Sequence, residues 1–427
     1  MKKKILTVLL CTALASAGAL YGQQSSNVYQ NTMSIFKTDV DKLQDVNDYA
    51  EVDINKAYLM AGSRYESDSN SIRGIQGGFA TYKNDLYIGI FYDGYFWNGN
   101  STEQGSTKNS TITYNNQFSF LFGKESFGGI GITLGLNDLQ FGENKAGGTT
   151  TNTRSGLINI GAEWGKNFAY KGGTLKPDLG FLWGINMNET SSGSSTGGHG
   201  PSILALMLTT EYLYPKEGQH QTTLSFGDVP VFFFAYDTNN QSPKDHREGR
   251  IYNTLYGELK QVYEITGNLS LGYLAGLSLI MNSPSDNKDI NVFEFGFLPR
   301  LSAALTYKAS EKFLFNTGVR LGAMEPENTS NYAPSANYNP FNNMNDNFGI
   351  FYQSVDPSSG SKQDNWRNLQ FVGAWGLGML WQPEKAFSGD FSVSSQFMPN
   401  RTLTAVAPAV VLANGNLNFS VLFTLNL

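Results

Sequence analysis

The stretch LNFSVLFTLNL, residues 417–427, shows most directly how this chain folds. Large apolar residues occupy every second position, and uncharged polar residues occupy nearly all the positions between them. Because successive side chains of a β-strand point to opposite faces, this alternation predicts a strand with one apolar face and one polar face. An uncharged strand of about ten residues with this pattern is typical of a membrane-spanning β-barrel.

The same alternation recurs along the chain from residue 57 onward. In each segment the second face carries Gly, Ser, Thr or Asn and only an occasional charge. A β-sandwich would usually expose charge on its outer face, whereas a small and mostly neutral polar face suits a wall around an enclosed wet space. The clearest segments are residues 86–93, 117–123, 129–137, 158–165, 178–186, 268–279 and 390–397.

Short and long connections alternate between these segments. Transmembrane barrels have short turns on the periplasmic side and longer loops on the outside. The sequence therefore predicts an all-β fold, a transmembrane antiparallel β-barrel of about sixteen strands (roughly 14–18). The short turns lie near 83–85, 124–126, 215–219, 265–267, 308–312 and 382–388. The long loops lie near 94–112, 138–155, 188–201, 237–250, 282–291 and 324–367.

The amino end indicates export. Residues 1–22 contain a basic start, a short apolar stretch and a run of small residues, which together predict a secretory signal peptide. The only cysteine, Cys11, lies within it, so the processed chain would have neither disulfides nor thiolate metal ligands. Removing three lysines takes the formal charge from −6 to about −9, which argues against nucleic acid as a partner.

Two further regions follow the signal peptide. Residues 23–56 are acidic and do not alternate, which leaves two interpretations open: a periplasmic N-terminal tail or short helix, or a small plug that enters the barrel. Residues 57–427 are predicted to form the barrel itself.

In signal peptide, alternating segments and last strand, the chain resembles the outer-membrane β-barrel proteins of diderm bacteria, including general porins. The resemblance implies contact with outer-membrane lipid, recognition of the last strand by the barrel-assembly machinery, and a possible homo-oligomer. In this sequence the assembly strand carries Phe419, Phe423 and Leu427. Proteins of this kind usually end in an aromatic residue, so Leu427 departs from the pattern.

Charged residues within the alternating segments are predicted to face the lumen, because Arg or Lys on the lipid face costs roughly 2–4 kcal/mol at the membrane midplane. If Tyr307 lies opposite Phe313 across the 308–312 turn, the register places Arg300 directly opposite Arg320. Like charges in that position repel, so a carboxylate, an anion or pore water is expected nearby. The predicted pore-lining charges are Arg300, Arg320, Glu294, Glu258, Lys260 and Glu163.

These features predict a porin-like channel for passive diffusion of small hydrophilic solutes. Inward leucines keep open a transporter of hydrophobic small molecules with an N-terminal plug. The long loop 324–367, directed inward or outward, keeps open a surface-exposed adhesin or ligand-binding barrel. With His199 and His246 in predicted loops and His220 at a strand start, no catalytic residues, metal site or cofactor are expected, and the chain is not predicted to be an enzyme.

Overall fold

The computed structural model describes most of the chain from residue 35 to residue 426. The described residues are 35–36, 39–52, 57–67, 72–98, 102–104, 107–146, 149–191, 198–234, 249–283, 294–324, 353–355, 362–364, 370–384, 386–397 and 417–426. The predicted signal peptide, residue 427 and most of the loop 324–367 lie outside these ranges.

The described chain is almost entirely strand. Two short helical elements precede the first strand: α1, Asp39–Leu43, and a 3₁₀ turn, Tyr49–Glu51. The strands are β1 Ala57–Ser67, β2 Ile72–Lys83, β3 Leu86–Asn98, β4 Thr102–Gln104, β5 Thr107–Lys124, β6 Gly128–Ala146, β7 Thr149–Gly165, β8 Phe168–Tyr170, β9 Gly173–Ser191, β10 Gly198–Leu213, β11 His220–Phe234, β12 Gly249–Thr266, β13 Leu269–Ser283, β14 Glu294–Ser310, β15 Phe313–Met324, β16 Gln353–Val355, β17 Lys362–Asp364, β18 Gln370–Glu384, β19 Phe387–Phe397 and β20 Leu417–Asn426.

Sixteen of these strands close into one antiparallel barrel, which confirms the predicted fold class and strand number. Each wall strand pairs with the next wall strand along the chain, and β20 pairs with both β19 and β1. The seam between β1 and β20 leaves the sheet without an open edge, which is what a β-structure in lipid requires. The short strands β4 and β8 extend their neighbours, and β16 and β17 form a separate hairpin.

One end of the barrel, here called the turn end, carries the tight connections. Asn84 and Asp85 join β2 to β3 with φ angles of 54° and 62°, the left-handed conformation that a two-residue hairpin turn requires. The other end, here called the loop end, carries the connections that follow β1, β3, β6, β9, β11, β13, β15 and β19. The loop predicted at 138–155 is wrong, because β6 and β7 run to Ala146 and from Thr149. The polar residues near 138–155 indicate a loop, but strand pairing continues through them beyond the apolar belt of the wall.

The two faces of the wall differ as the alternation predicts. Ile132 and Leu134 of β6 are exposed on the outside, while Thr133 between them is 1% exposed. On β20, Phe419 and Phe423 are exposed and Thr424 is buried. Large aromatic rings such as Tyr170, Tyr214 and Phe313 are exposed near the turn end, where a membrane barrel has an aromatic girdle.

No helix in the part of the chain that the structure describes is both long and apolar enough to cross a membrane.

Candidate functional site

The turn end of the lumen contains chain from before the first strand. The described residues 35–36 and 39–52, here called the inner segment, place Leu43, Val46 and Tyr49 at 5% exposure or less. These side chains form one apolar cluster with Tyr87 and Leu121, which project inward from β3 and β5. The inner segment therefore packs against the inner face of the wall.

Two hydrogen bonds tie the inner segment to the neighbouring wall strands β2 and β3. The Tyr82 hydroxyl donates to the carbonyl of Tyr49 at 2.5 Å, and the Tyr87 hydroxyl donates to the carbonyl of Leu43. The Tyr49 and Tyr87 rings stack with centroids 5.1 Å apart. Burial raises the pKa of the Tyr49 phenol, and the Glu125 carboxylate raises it further, so the ring stays neutral.

A buried ion-pair cluster fixes the second helical turn of the inner segment. Lys176 Nζ lies 2.5 Å from Asp48 Oδ1 and 2.8 Å from Glu51 Oε1. The Lys176 and Asp48 side chains are 6% and 5% exposed. Lys42 Nζ lies 3.2 Å from the other oxygen of Glu51. Because a charge removed from water is costly unless it is paired, these contacts hold the inner segment in one position.

Glycines on the wall make room for the inner segment. A Cβ atom at Gly129 would lie 2.2 Å from the Val46 carbonyl oxygen, and one at Gly165 would lie 2.6 Å from Asn47 Oδ1. At Gly123 it would lie 2.4 Å from the Tyr49 ring. These approaches are closer than any side chain allows, so the wall sequence and the inner segment fit each other.

The inner segment also reaches the opposite side of the barrel. Ile35 is 4% exposed and packs against Leu274 of β13 and Ala304 of β14. The β3 and β13 strands are eight positions apart in the sixteen-strand order and so face each other across the lumen. The contacts of the inner segment thus span the lumen at the turn end.

Further along the lumen, two predicted charges form an ion pair. Glu258 of β12 and Arg300 of β14 contact each other although β13 lies between their strands. The β13 residue at this level is Gly276, which is paired with both of them. Without a side chain at Gly276, the two long side chains meet above the β13 backbone. The pair supplies the carboxylate that the sequence leads us to expect near Arg300.

The predicted opposition of Arg300 and Arg320 is wrong. Arg300 pairs with Gly322, and Arg320 pairs with Ser302. The register is offset by two residues because the turn contains only residues 311–312, which alone would shift it by three, and the bulge between Lys308 and Ser310 takes one of these back. The predicted turn contains five residues, 308–312. Like charges are therefore not directly opposed in this pair of strands.

The other predicted charges lie on the inner face or outside the described side chains. Arg320 is 5% exposed and Glu163 is 7% exposed. Both occupy inward-facing positions of their strands. Lys260 shares the inward parity of Glu258 and is half-buried. Glu294 begins β14, but its side chain is not among those described.

The contribution of Gly276 can be tested directly. In Gly276→Val the new Cβ atom would lie 3.0 Å from Glu258 Cγ. The branched side chain should therefore separate Glu258 from Arg300. We expect a loss of about 1–3 kcal/mol in the free energy of unfolding, measured by urea titration in lipid vesicles. In a Glu258→Met, Arg300→Met background the same substitution should cost much less. If Gly276→Val lowered the free energy of unfolding equally in both backgrounds, its effect would not come from the Glu258–Arg300 ion pair.

Lys176, Asp48 and Glu51 are not among the site residues that the sequence predicts. A signal for Lys176 was present, since it shares the inward parity of Asp178 and Gly180 on β9. A second signal is the three-residue spacing of Leu43, Val46, Tyr49 and Val52, all of them buried. Such spacing indicates a short helical segment with one apolar stripe.

The structure describes the positions of two of the three histidines in the strand order. His220 begins β11, as predicted, and stacks on the Tyr263 ring. His199 lies within β10 rather than in a loop, because that strand begins at Gly198. His246 lies outside the described residues. Among the side chains that the structure describes, no group of His, Cys, Asp and Glu could hold a metal ion.

Comparison with known proteins gives likeness in architecture. No protein-family model and no curated protein matches the chain. CdiB from Acinetobacter baumannii matches with a TM-score of 0.44 and 8% identity, covering 87% of this chain and 60% of that chain. A FadL homologue of Pseudomonas aeruginosa matches with a TM-score of 0.36 and 12% identity, covering 96% and 99%. OmpT, an outer-membrane protein of Vibrio cholerae, matches with a TM-score of 0.36 and 9% identity, covering 87% and 96%.

The chain spans 60% of the length of CdiB and 56% of the ferric citrate transporter FecA. The predicted resemblance to outer-membrane β-barrel proteins is confirmed at the level of architecture.

Proposed function

We propose that the chain is a gated outer-membrane channel for small hydrophilic solutes. The observation that carries the proposal is the contrast between the faces of one closed wall. The outer face exposes large apolar side chains, whereas the buried inner positions include Ser119, Asn159, Glu163 and Thr223. An apolar exterior suits lipid, and a polar interior suits water and dissolved solutes. A sixteen-strand barrel is wide enough to enclose an aqueous channel.

The inner segment modifies the porin-like function that the sequence predicts. In this proposal the turn end faces the periplasm and residues 35–52 act as a plug there. The buried contacts of Lys176 with Asp48 and Glu51 oppose its spontaneous release. Passive diffusion would then occur only while the inner segment is displaced. The lipid bilayer and the barrel-assembly machinery remain the expected partners, with Phe419, Phe423 and Leu427 as the assembly signal.

The inward leucines support this proposal more than transport of hydrophobic molecules. Leu121 belongs to the apolar cluster that Leu43, Val46 and Tyr49 form with the wall. Leu274 packs against Ile35. These leucines are therefore covered by the inner segment, and their apolar surface has a use that does not require a lipid-like substrate.

Ion selectivity provides the test. Arg300 and Arg320 are inward cations of the lumen, so Arg300→Glu combined with Arg320→Glu should move the reversal potential in a KCl gradient toward cation preference. The measurement is planar-bilayer conductance of the full processed chain. Lys216→Glu with Lys312→Glu changes the net charge equally at exposed turn positions and should have a much smaller effect. Unchanged ion preference in the lumen variant, or a protein that never conducts, would overturn the proposed channel.

A further inference from the structure

The outer face of the wall carries one unexpected charge. Asp228 on β11 shares the outward parity of Phe226, which is 52% exposed, and it pairs with Leu208 and Leu255 on the adjacent strands. Both leucines are exposed. Among the outward side chains that the structure describes, Asp228 is the only acidic or basic one away from the strand ends.

A hollow lies directly beside this carboxylate. Gly257 on β12 faces outward without a side chain, between Phe226 and Leu277 on the neighbouring strands. The resulting cavity has a volume of about 650 Å³. A Cβ atom at Gly257 would meet only ordinary contacts, 3.6 Å from the Phe226 ring. The space is therefore open to a side chain or to a ligand. Its lining includes Leu179, Leu208, Phe226, Asp228, Leu255 and Leu277.

One oxygen of the Asp228 carboxylate lacks a hydrogen-bond donor. Its Oδ1 atom is buried and accepts no hydrogen bond from any part of the chain that the structure describes. On an outer face against lipid, no bulk water compensates it. A buried polar oxygen without a donor is destabilising, and ionisable groups placed in membranes usually serve a function.

We propose that this hollow binds a membrane-soluble amine, a molecule with an apolar body and one protonated amino group. The aliphatic lining and the Phe226 ring would bury the body, and the amino group would pair with the carboxylate of Asp228, which lines the hollow. The volume is within the range of small-molecule sites, which are mostly apolar with a few placed polar groups. A cation paired with a carboxylate away from water interacts far more strongly than it would in solution.

Charge argues against a second copy of this chain as the occupant. Among the described outward side chains, neither Lys nor Arg lies away from the strand ends, so the apolar belt of another copy has no cation to offer Asp228. An interface between two copies would leave this carboxylate unpaired. An amine matches both the apolar lining and the charge.

Native mass spectrometry of the processed chain in a non-ionic detergent at pH 7.5 tests the proposal, with decylamine and 1-decanol as matched probes. We expect one decylamine to bind at least tenfold more tightly than 1-decanol. Asp228→Asn should lower decylamine affinity at least tenfold, and Gly257→Leu should abolish binding of both probes. Ala303→Leu adds apolar bulk to the outer face away from the hollow and should leave both affinities unchanged.

Three outcomes would overturn the proposal. They are equal affinity for the two probes, decylamine binding that Asp228→Asn leaves unaltered, and an oligomer that Gly257→Leu dissociates. The last result would show that a second copy covers the hollow. Because Asp228→Asn changes one atom, the test stands even if the larger substitution prevents folding.

Discussion

Deleting residues 39–52 is expected to raise single-channel conductance in planar bilayers by at least about tenfold, because a sixteen-strand barrel without an internal obstruction encloses an aqueous channel. The wall strands pair with one another without help from these residues, so the barrel should still form. Folding is checked by the faster migration of unheated protein in SDS gels. The same deletion should also increase the swelling rate of proteoliposomes in sugar solutions.

A correctly folded deletion variant with the conductance of the full chain would show that the inner segment does not obstruct the lumen. The selectivity test of Arg300 and Arg320 would still stand on its own in that case. The two experiments therefore separate the hypothesis of a plug from that of a channel.

The second large effect is expected at the buried ion pair. Asp48→Ala leaves Lys176 with only the partly exposed Glu51, and breaking a buried pair costs about 3–5 kcal/mol. We expect the inner segment to detach at least about a hundredfold more often, since each 1.4 kcal/mol is a factor of about ten. The readout is the rate at which a thiol reagent labels Val46→Cys. The processed chain has no other cysteine if Cys11 leaves with the signal peptide.

Two variants distinguish this effect from a general loosening of the barrel. Adding Lys176→Met to Asp48→Ala removes the uncompensated charge and should slow labelling again. Lys216→Ala breaks an exposed pair with Glu264 at the turn end, which is worth at most about 1 kcal/mol, and should not change labelling. Labelling that rises equally in Lys216→Ala would contradict a specific role for Lys176.

The alternation of side chains predicts the wall well, because lipid outside and water inside act on every residue of a strand. It places Ile132 and Thr133 on opposite faces and predicts the closing strand β20. Alternation does not report where pairing stops once a strand passes the apolar belt. The extension of β6 and β7 into the predicted loop at 138–155 was missed for that reason.

Register and interior contacts were harder to predict. The turn between β14 and β15 contains only two residues, and this tight turn together with a one-residue bulge after Lys308 puts Arg320 two positions from the residue opposite Arg300. No residue type in the turn indicates its length or the bulge. The position of the inner segment depends on contacts between Asp48 and Lys176, which are 128 residues apart. Sequence spacing does not encode a contact at that distance. Asp228 was overlooked because its strand lacks a clear alternation.

The seam between β1 and β20 has a consequence for biogenesis. Every other wall contact joins wall strands that follow one another along the chain, whereas this one joins the first strand to the last and carries the largest loop-closure entropy. Before it forms, the sheet is an open curl with two unsatisfied edges that invite misassembly. The inner segment immediately precedes β1, so it can settle into the cavity through this gap. We therefore expect the inner segment to enter before the seam closes, because afterwards it could enter or leave only through an end of the barrel.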